Sequence, residues 1–274
     1  MIHDTCFLLS IITVNFKNPP LLRLCLKTLR DILSSNFPYE IVIVDIASTV
    51  ETRNTALEFS GVKTISFKEN IGYTRGVNEG IKASSGDTLF IINPDIIARG
   101  GSIEKMTEYI QKNPNIGLLG PQLLNFDGSI QNSSFSFYGP MTIVYRRTFL
   151  GNLPWAKNEL NRFLTTDKKK NISKADWIMG SALMTTRKAV QAVGFMDENL
   201  FLYMSEVDWA KRFWENGYKV IYFPESQMYH YHRRGSKGRL DAFDIIKKET
   251  RWHIMDAVRY FKKHGLSVKS YAIK

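Results

Sequence analysis

The run FLLSIITV at 7–14 is almost unbroken in its apolar, β-branched character, the pattern of a parallel strand covered on both faces. After Pro19 and Pro20, LLRLCLKTLRDIL repeats leucine at helical spacing. EIVIVD at 40–45 predicts a second buried strand ending in an acid. A helix at 51–59, a short strand VKTISF at 62–67, a helix at 72–83 opened by a glycine loop, and a fourth strand DTLFIIN at 87–93 follow. Strands alternating with helices over the first hundred residues predict an α/β fold, with a mostly parallel central sheet and helices on both faces. Ligands of such sheets bind beyond the carboxyl ends of the strands, which singles out Asn15, Asp45 and Asp95 as polar residues ending strands.

Beyond Pro114 the pattern breaks into the short segments IGLLG and QLLNFDGSIQ, then an irregular stretch at 135–174 that reads as a mobile loop or an acceptor-side insertion. Compact patterning resumes with ADWIMGSALMTT. SEVDWAKRFWENG follows as a helix with Ser205 as N-cap, acids in its first turn and Gly217 at its end. Residues 240–264 are helical in pattern and rich in Lys and Arg. The expected organisation is a catalytic domain over 1–235, with a nucleotide-binding half to about 115 and an acceptor-side half at 116–235. A basic amphipathic extension follows at 236–274.

Composition narrows the partners only in part. With 37 Lys and Arg against 26 Asp and Glu, the formal charge of +11 favours anionic partners: nucleotide phosphates, an acidic membrane surface or nucleic acid. Aromatic residues among the bases of YHYHRR keep a nucleic-acid reading in view, but no nucleic-acid-binding motif accompanies it, so nucleic acid is not an expected partner. Cys6 and Cys25 lack the spacing of a disulfide framework or zinc site and read as buried, reduced thiols. The opening residues lack the basic start and cleavage site of a signal peptide, and no apolar stretch approaches the roughly 20 residues of a bilayer span. A cytoplasmic protein, peripheral to the inner face of the plasma membrane, is the expectation.

Five clusters carry candidate chemistry, each with a plainer alternative. Asp45 suits the imide of a uracil or thymine ring, or is a helix-capping loop acid. In NIGYTRGVNEGIKASSGD, glycines 72, 76 and 80 surround Arg75 and Asn78, fitting either a diphosphate at a helix N-terminus or close helix packing. Asn93 and Asp95 of the NPD turn place one carboxylate where a hard divalent cation would share substrate phosphates, unless the turn is simply an Asx turn. Glu206 and Asp208 are candidate general bases or ordinary helix-start acids. In MYHYHRRGSKGR, His230 could complete a metal shell with Asp95, and Arg233 begins a basic clamp or a surface patch.

Taken in order, IITVNFKNPPLLRLCLKTL, EIVIVDIAS, ENIGYTRGVNEGIKASSGDTLFIINPD, GLLGPQLLNFDGSIQ, the DWIMGSALMTT block through VIYFPES, and YHYH resemble the family 2 glycosyltransferases, especially their bacterial rhamnosyltransferase-like branch. The resemblance implies a GT-A fold, with Asp45 at the nucleotide base, Asp95 at the metal position, and Trp177, Gly180 and Ser181 lining the donor and acceptor pocket. The family's catalytic acid falls in a Glu-Asp-Val-Asp stretch that here reads Ser205, Glu206, Val207, Asp208. Glu206, one methylene longer than the usual aspartate, becomes the expected base, with Asp208 in reserve. Ile46 stands where the family commonly has asparagine.

An inverting, Mn2+- or Mg2+-dependent transfer is implied, from a dTDP- or UDP-sugar, with dTDP-rhamnose favoured, to a glycan or polyprenyl-diphosphate-linked acceptor. The runner-up is a catalytically inactive nucleotide-binding homologue. The basic extension suits an anionic membrane surface, the catalytic domain itself or a second subunit of a homodimer.

Overall fold

The computed structural model describes residues 8–34, 36–164, 170–231, 248–266 and 269–272. The chain runs β1 (Leu9–Phe16), α1 (Pro19–Ile32), β2 (Tyr39–Ile46), α2 (Val50–Leu57), β3 (Val62–Ser66), α3 (Tyr73–Ala83), β4 (Thr88–Ile92), β5 (Ile96–Ala98), α4 (Ser102–Lys112) and β6 (Ile116–Leu124). It continues with β7 (Ile130–Gln131), β8 (Ser134–Phe135), α5 (Pro140–Arg147), a 3-10 turn (Phe149–Asn152), α6 (Pro154–Phe163), β9 (Ser173–Lys174), β10 (Trp177–Ile178), β11 (Ala182–Thr186), α7 (Arg187–Val193), α8 (Ser205–Glu215), β12 (Lys219–His230) and α9 (Lys248–His264).

The central sheet has the order β3-β2-β1-β4-β11-β6-β12-β5. Strands β3, β2, β1 and β4 are mutually parallel, β11 runs antiparallel between β4 and β6, and β12 is parallel to β6. Alternate residues serve opposite faces, as the two-residue period of a strand requires. Leu9 and Ile11 of β1 pack with Leu22, Leu26, Ile103 and Met106, whereas Ile12 and Val14 pack with Val77, Ile81, Trp209 and Phe213. Helices α1 and α4 therefore cover one face, and α3 and α8 the other.

Local chemistry explains the elements that carry the site. Asn18 caps α1 by accepting the Leu21 N–H at 3.3 Å, with two prolines in the first turn. Thr49 and Thr52 form a capping box on α2. Helix α3 starts from Gly72 at φ +85° and lies close on the sheet: a Cβ at Gly76 would come within 2.8 Å of Val14, and one at Gly80 would overlap Ile12. The glycine spacing thus serves helix-to-sheet contact rather than a phosphate loop.

Of the two readings open for the 135–174 stretch, the described part is a folded insertion rather than a mobile loop, with Phe135, Phe137, Tyr138 and Phe163 buried around Trp177. The described part of the C-terminal extension packs on the catalytic domain, burying Ala257 and Tyr260 in the same core as Trp209. The buried carboxylate of Asp176 holds the chain end as well, accepting the backbone N–H groups of Tyr271 and Ala272. Among the described residues no helix is long and apolar enough to cross a membrane.

Candidate active site

At the carboxyl edge of the sheet, β1 and β2 end side by side, with Asn15 opposite Asp45. Asn15 Nδ2 donates to Asp45 Oδ1 at 2.8 Å and Thr52 Oγ1 donates to Asp45 Oδ2 at 2.6 Å. Asp45 is only 2% exposed, so it is a buried acceptor braced by two neighbours rather than an open carboxylate. Lys17 and Ala47, just past these strands, both hold positive φ (47° and 53°), a conformation L-residues avoid and functional edges often contain.

Asp95 lies in the turn between β4 and β5. The turn is pinned by the Asn93 N–H, which donates to the Ser181 carbonyl at 2.9 Å, and by the Tyr231 N–H, which donates to the Asp95 carbonyl. Asp95 Oδ2 is 3.6 Å from His230 Nε2, while Asp95 Oδ1 is buried without a hydrogen-bond partner. Gln131 decides the histidine's tautomer. Its Nε2 faces two backbone carbonyls, of His230 at 3.0 Å and Leu124 at 3.5 Å, which can only accept. Gln131 Oε1 therefore faces His230 Nδ1, at 2.9 Å, and Nδ1 carries the proton. His230 Nε2 is then the ring nitrogen on the Asp95 side. A carboxylate oxygen buried without a hydrogen-bond partner, beside an imidazole, fits a divalent cation, with Gln131 as the outer partner that orients the histidine. Among the described residues no group of three or more His, Cys, Asp or Glu converges, so substrate oxygens and water would supply the remaining ligands.

Glu206 stands in the first turn of α8, against Gly180, where an added Cβ would sit 3.6 Å from the Glu206 side chain. Burial pushes its carboxyl up to about 7, despite the Glu206 backbone N–H and Ser205 hydroxyl that favour the ionised form. Tyr73 joins this acid to the NPD turn. Its hydroxyl donates to the Gly180 carbonyl at 2.8 Å, and its own ionisation is suppressed by burial and then by the charges of Glu206 and Asp95. Asp95 also helps burial raise the Cys25 thiol to about 12, leaving Cys25 a protonated, free thiol beneath the turn.

Several expected site residues have other work. Asp208 is not a reserve base. It is 0% exposed and bonded to Arg212, Lys263 and His264, which outweigh burial and hold its carboxyl down at about 2. Asn78 exchanges hydrogen bonds with the Met196 backbone and donates to Glu198, tying α3 to the loop after α7 rather than to a ligand. Trp177 is a core ring stacked on Phe135, its indole N–H donated to the Ser136 carbonyl. Arg75 is exposed without a partner among the described residues, and two positions from Tyr73 it projects from the other side of α3. Ser181 acts through its carbonyl to Asn93. Ser205 is the first helical residue, not the cap; the cap is Met204 at φ +62° with no side-chain bond. Arg233 lies outside the described residues. Sequence reasoning missed Tyr73 and Gln131, for which the only signal was their place inside matched segments.

The mostly parallel sheet with helices on both faces is that of the GT-A fold. The chain belongs to glycosyl transferase family 2, whose family model matches residues 10–186. It is 27% identical over 268 residues to N-acetylglucosaminyl-diphospho-decaprenol L-rhamnosyltransferase of Mycobacterium tuberculosis, covering 92% of this chain and 85% of that one. It is 23% identical over 193 residues to the dTDP-rhamnosyl transferase RfbF of Shigella flexneri, covering 69% and 59% of the two chains. Among solved structures, GalNAc-T7 with UDP, GalNAc and Mn2+ superposes with a TM-score of 0.67 at 14% identity, over 93% of this chain and 48% of that one. The mannosyltransferase PcManGT of Pyrobaculum calidifontis, in complex with GDP-Man and Mn2+, gives 0.62 at 14% identity, over 96% and 65%.

Proposed function

We propose that this glycosyltransferase is divalent-cation-dependent and inverting, moving rhamnose from dTDP-rhamnose to a hydroxyl of a glycan or polyprenyl-diphosphate-linked acceptor. The observation that carries the reading is Asp95, with one carboxylate oxygen buried and unpartnered and His230 Nε2 3.6 Å from the other, on a fold that also sets Glu206 against Gly180. Both relatives named above are rhamnosyltransferases, one of them for a lipid-diphosphate-linked sugar, which supports the donor and acceptor classes.

Asp95 and His230 would hold Mn2+ or Mg2+, which supplies charge neutralisation for the departing diphosphate. Glu206 takes the proton of the acceptor hydroxyl as that oxygen forms its bond to the anomeric carbon. The bond from that carbon to the diphosphate breaks with its electron pair leaving on the diphosphate, and attack from the opposite face inverts the centre. A base poised near the working pH combines ionisation with proton affinity, and such a group contributes about 10²- to 10⁴-fold. Asn15 and Asp45 sit at the edge proposed for the base ring, with Asp45 presenting a fixed acceptor. The outward residues Ile254, Met255 and Val258 of α9, beside the exposed Arg251 and Lys262, suit a weak contact with an anionic membrane carrying the acceptor.

The test is a panel of nucleotide sugars with Mn2+ or Mg2+, reading released nucleoside diphosphate beside Asp95→Ala and Glu206→Gln. Turnover of dTDP-rhamnose that is abolished by EDTA and lost in both variants is expected. Turnover of another donor would replace the sugar assignment, and metal-independent turnover would remove the cation from the mechanism.

A further inference from the structure

Helix α8 enters its first turn in an unusual way. Its cap, Met204, is left-handed and offers no side-chain bond, and Glu206 follows only two residues later. Such an entry needs support from elsewhere, because a left-handed non-glycine residue is intrinsically unfavourable.

That support comes from the C-terminal helix, some fifty residues on. The carboxylate of Asp256, fully buried in α9, accepts three successive backbone N–H groups: Phe201 at 3.1 Å, Leu202 at 3.0 Å and Tyr203 at 2.9 Å. The rest of α9 grips the same segment. Trp252 packs at a tilt against Phe201 with ring centres 4.8 Å apart, His253 stacks on the Tyr203 ring at 4.5 Å, Arg259 donates to the Asn199 carbonyl, and Lys263 pairs with Asp197 at 2.6 Å. On its other side the segment presses on the start of α3, where a Cβ at Gly72 would meet the Phe201 ring and carbonyl at 2.7 Å. The 197–204 segment is therefore held between α3, which carries Tyr73, and α9.

We infer that Asp256 is a positioning residue for Glu206: by gathering the N–H groups of 201–203 it fixes the strained entry to α8 and so the place of the base. This makes the C-terminal helix part of the catalytic unit, although the family match ends at residue 186. The negative charge of Asp256 also adds to burial in raising the Glu206 carboxyl, so the residue acts on the base in two ways. The inference rests on the proposed role of Glu206 as base.

The experiment compares wild type, Asp256→Asn and Asp256→Glu. It measures Mn2+-dependent turnover of dTDP-rhamnose, dTDP affinity by calorimetry, and amide hydrogen exchange at 201–203. In wild type these three amides should exchange slowly. Asp256→Asn should lower kcat about 10- to 100-fold, as expected for slight misplacement of a catalytic group. Donor KM and dTDP affinity should stay within about twofold, exchange at 201–203 should quicken, and Asp256→Glu should recover part of kcat. Unchanged kcat in Asp256→Asn, an equal loss of dTDP affinity, or fast exchange at 201–203 in wild type would each overturn the inference. The exchange measurement on wild type stands even if Asp256→Asn fails to fold. Wild type that binds dTDP but turns over no donor would count against the transferase reading, while slow exchange at 201–203 would still separate the two.

Discussion

The hydroxyl of Tyr73 donates to the carbonyl of Gly180 at 2.8 Å, bolting the start of α3 to the loop that faces Glu206. Burial keeps this phenol protonated. Tyr73→Phe removes one hydrogen bond and little volume. A net bond of this kind is worth about 0.5–1.5 kcal/mol, so stability should fall by about that much, with a melting temperature lower by a few degrees, and kcat should fall about three- to tenfold as the Gly180 loop loosens. Steady-state kinetics beside a thermal melt would check it.

Because burial raises the Glu206 carboxyl to about 7, turnover should climb with pH along a limb centred near that value, and Glu206→Gln should be about 10²- to 10⁴-fold slower without the limb. Stability should run the other way. The folded protein holds a proton on Glu206 that the unfolded chain releases near pH 4.5, so this contribution is intact below about 4.5 and is lost as pH rises through 7. Glu206→Gln should therefore gain about 1–3 kcal/mol over wild type at pH 8 and almost nothing at pH 4.5, read from urea melts.

Asp208 makes the opposite prediction. Its folded carboxyl lies near 2, below the ordinary 3.8, so it stabilises the protein above about pH 3.8 and loses that effect as pH falls through 2. Asp208→Asn should cost about 2 kcal/mol or more at neutral pH by leaving Arg212, Lys263 and His264 without their anion. Its turnover per folded molecule should stay within a few-fold of wild type. A loss as deep as that of Glu206→Gln would restore Asp208 as the base.

Metal affinity provides a third discriminating measurement. Asp95→Asn and His230→Ala should abolish specific Mn2+ binding detected by electron paramagnetic resonance. Gln131→Leu should weaken it about 10- to 100-fold, because the histidine would lose the acceptor that fixes its tautomer.

Gly80→Ala separates packing from ligand binding. The new methyl would overlap Ile12 beneath α3, so stability should fall by about 1–3 kcal/mol, while dTDP affinity of the folded protein stays unchanged.

The local pattern determined a great deal. Strands β1, β2 and β4 were legible because a parallel strand covered on both faces must be apolar along nearly its whole length. Asp45, Asp95 and Glu206 were legible because they stand where those strands or a helix end. In sequence the 135–174 stretch stays open between a mobile loop and an insertion, because most of its buried aromatics, Phe135, Phe137 and Tyr138, lie outside its two short helices and set up no helical period.

What sequence order by itself could not decide was which of several similar groups is free to react. Glu206 and Asp208 are two residues apart and chemically alike, yet one faces Gly180 with its proton affinity raised, and the other is taken up by Arg212, Lys263 and His264. Two of those partners, Lys263 and His264, arrive from α9, and Asn78 is claimed by a loop more than a hundred residues away. The sequence thus determined the family, the sheet and the acids at its edge, since these follow from local periodicity and short motifs. Only the tertiary structure assigned the roles of Tyr73, Gln131 and Asp256, because a hydrogen bond or a desolvated charge depends on neighbours that the chain brings together only when it folds.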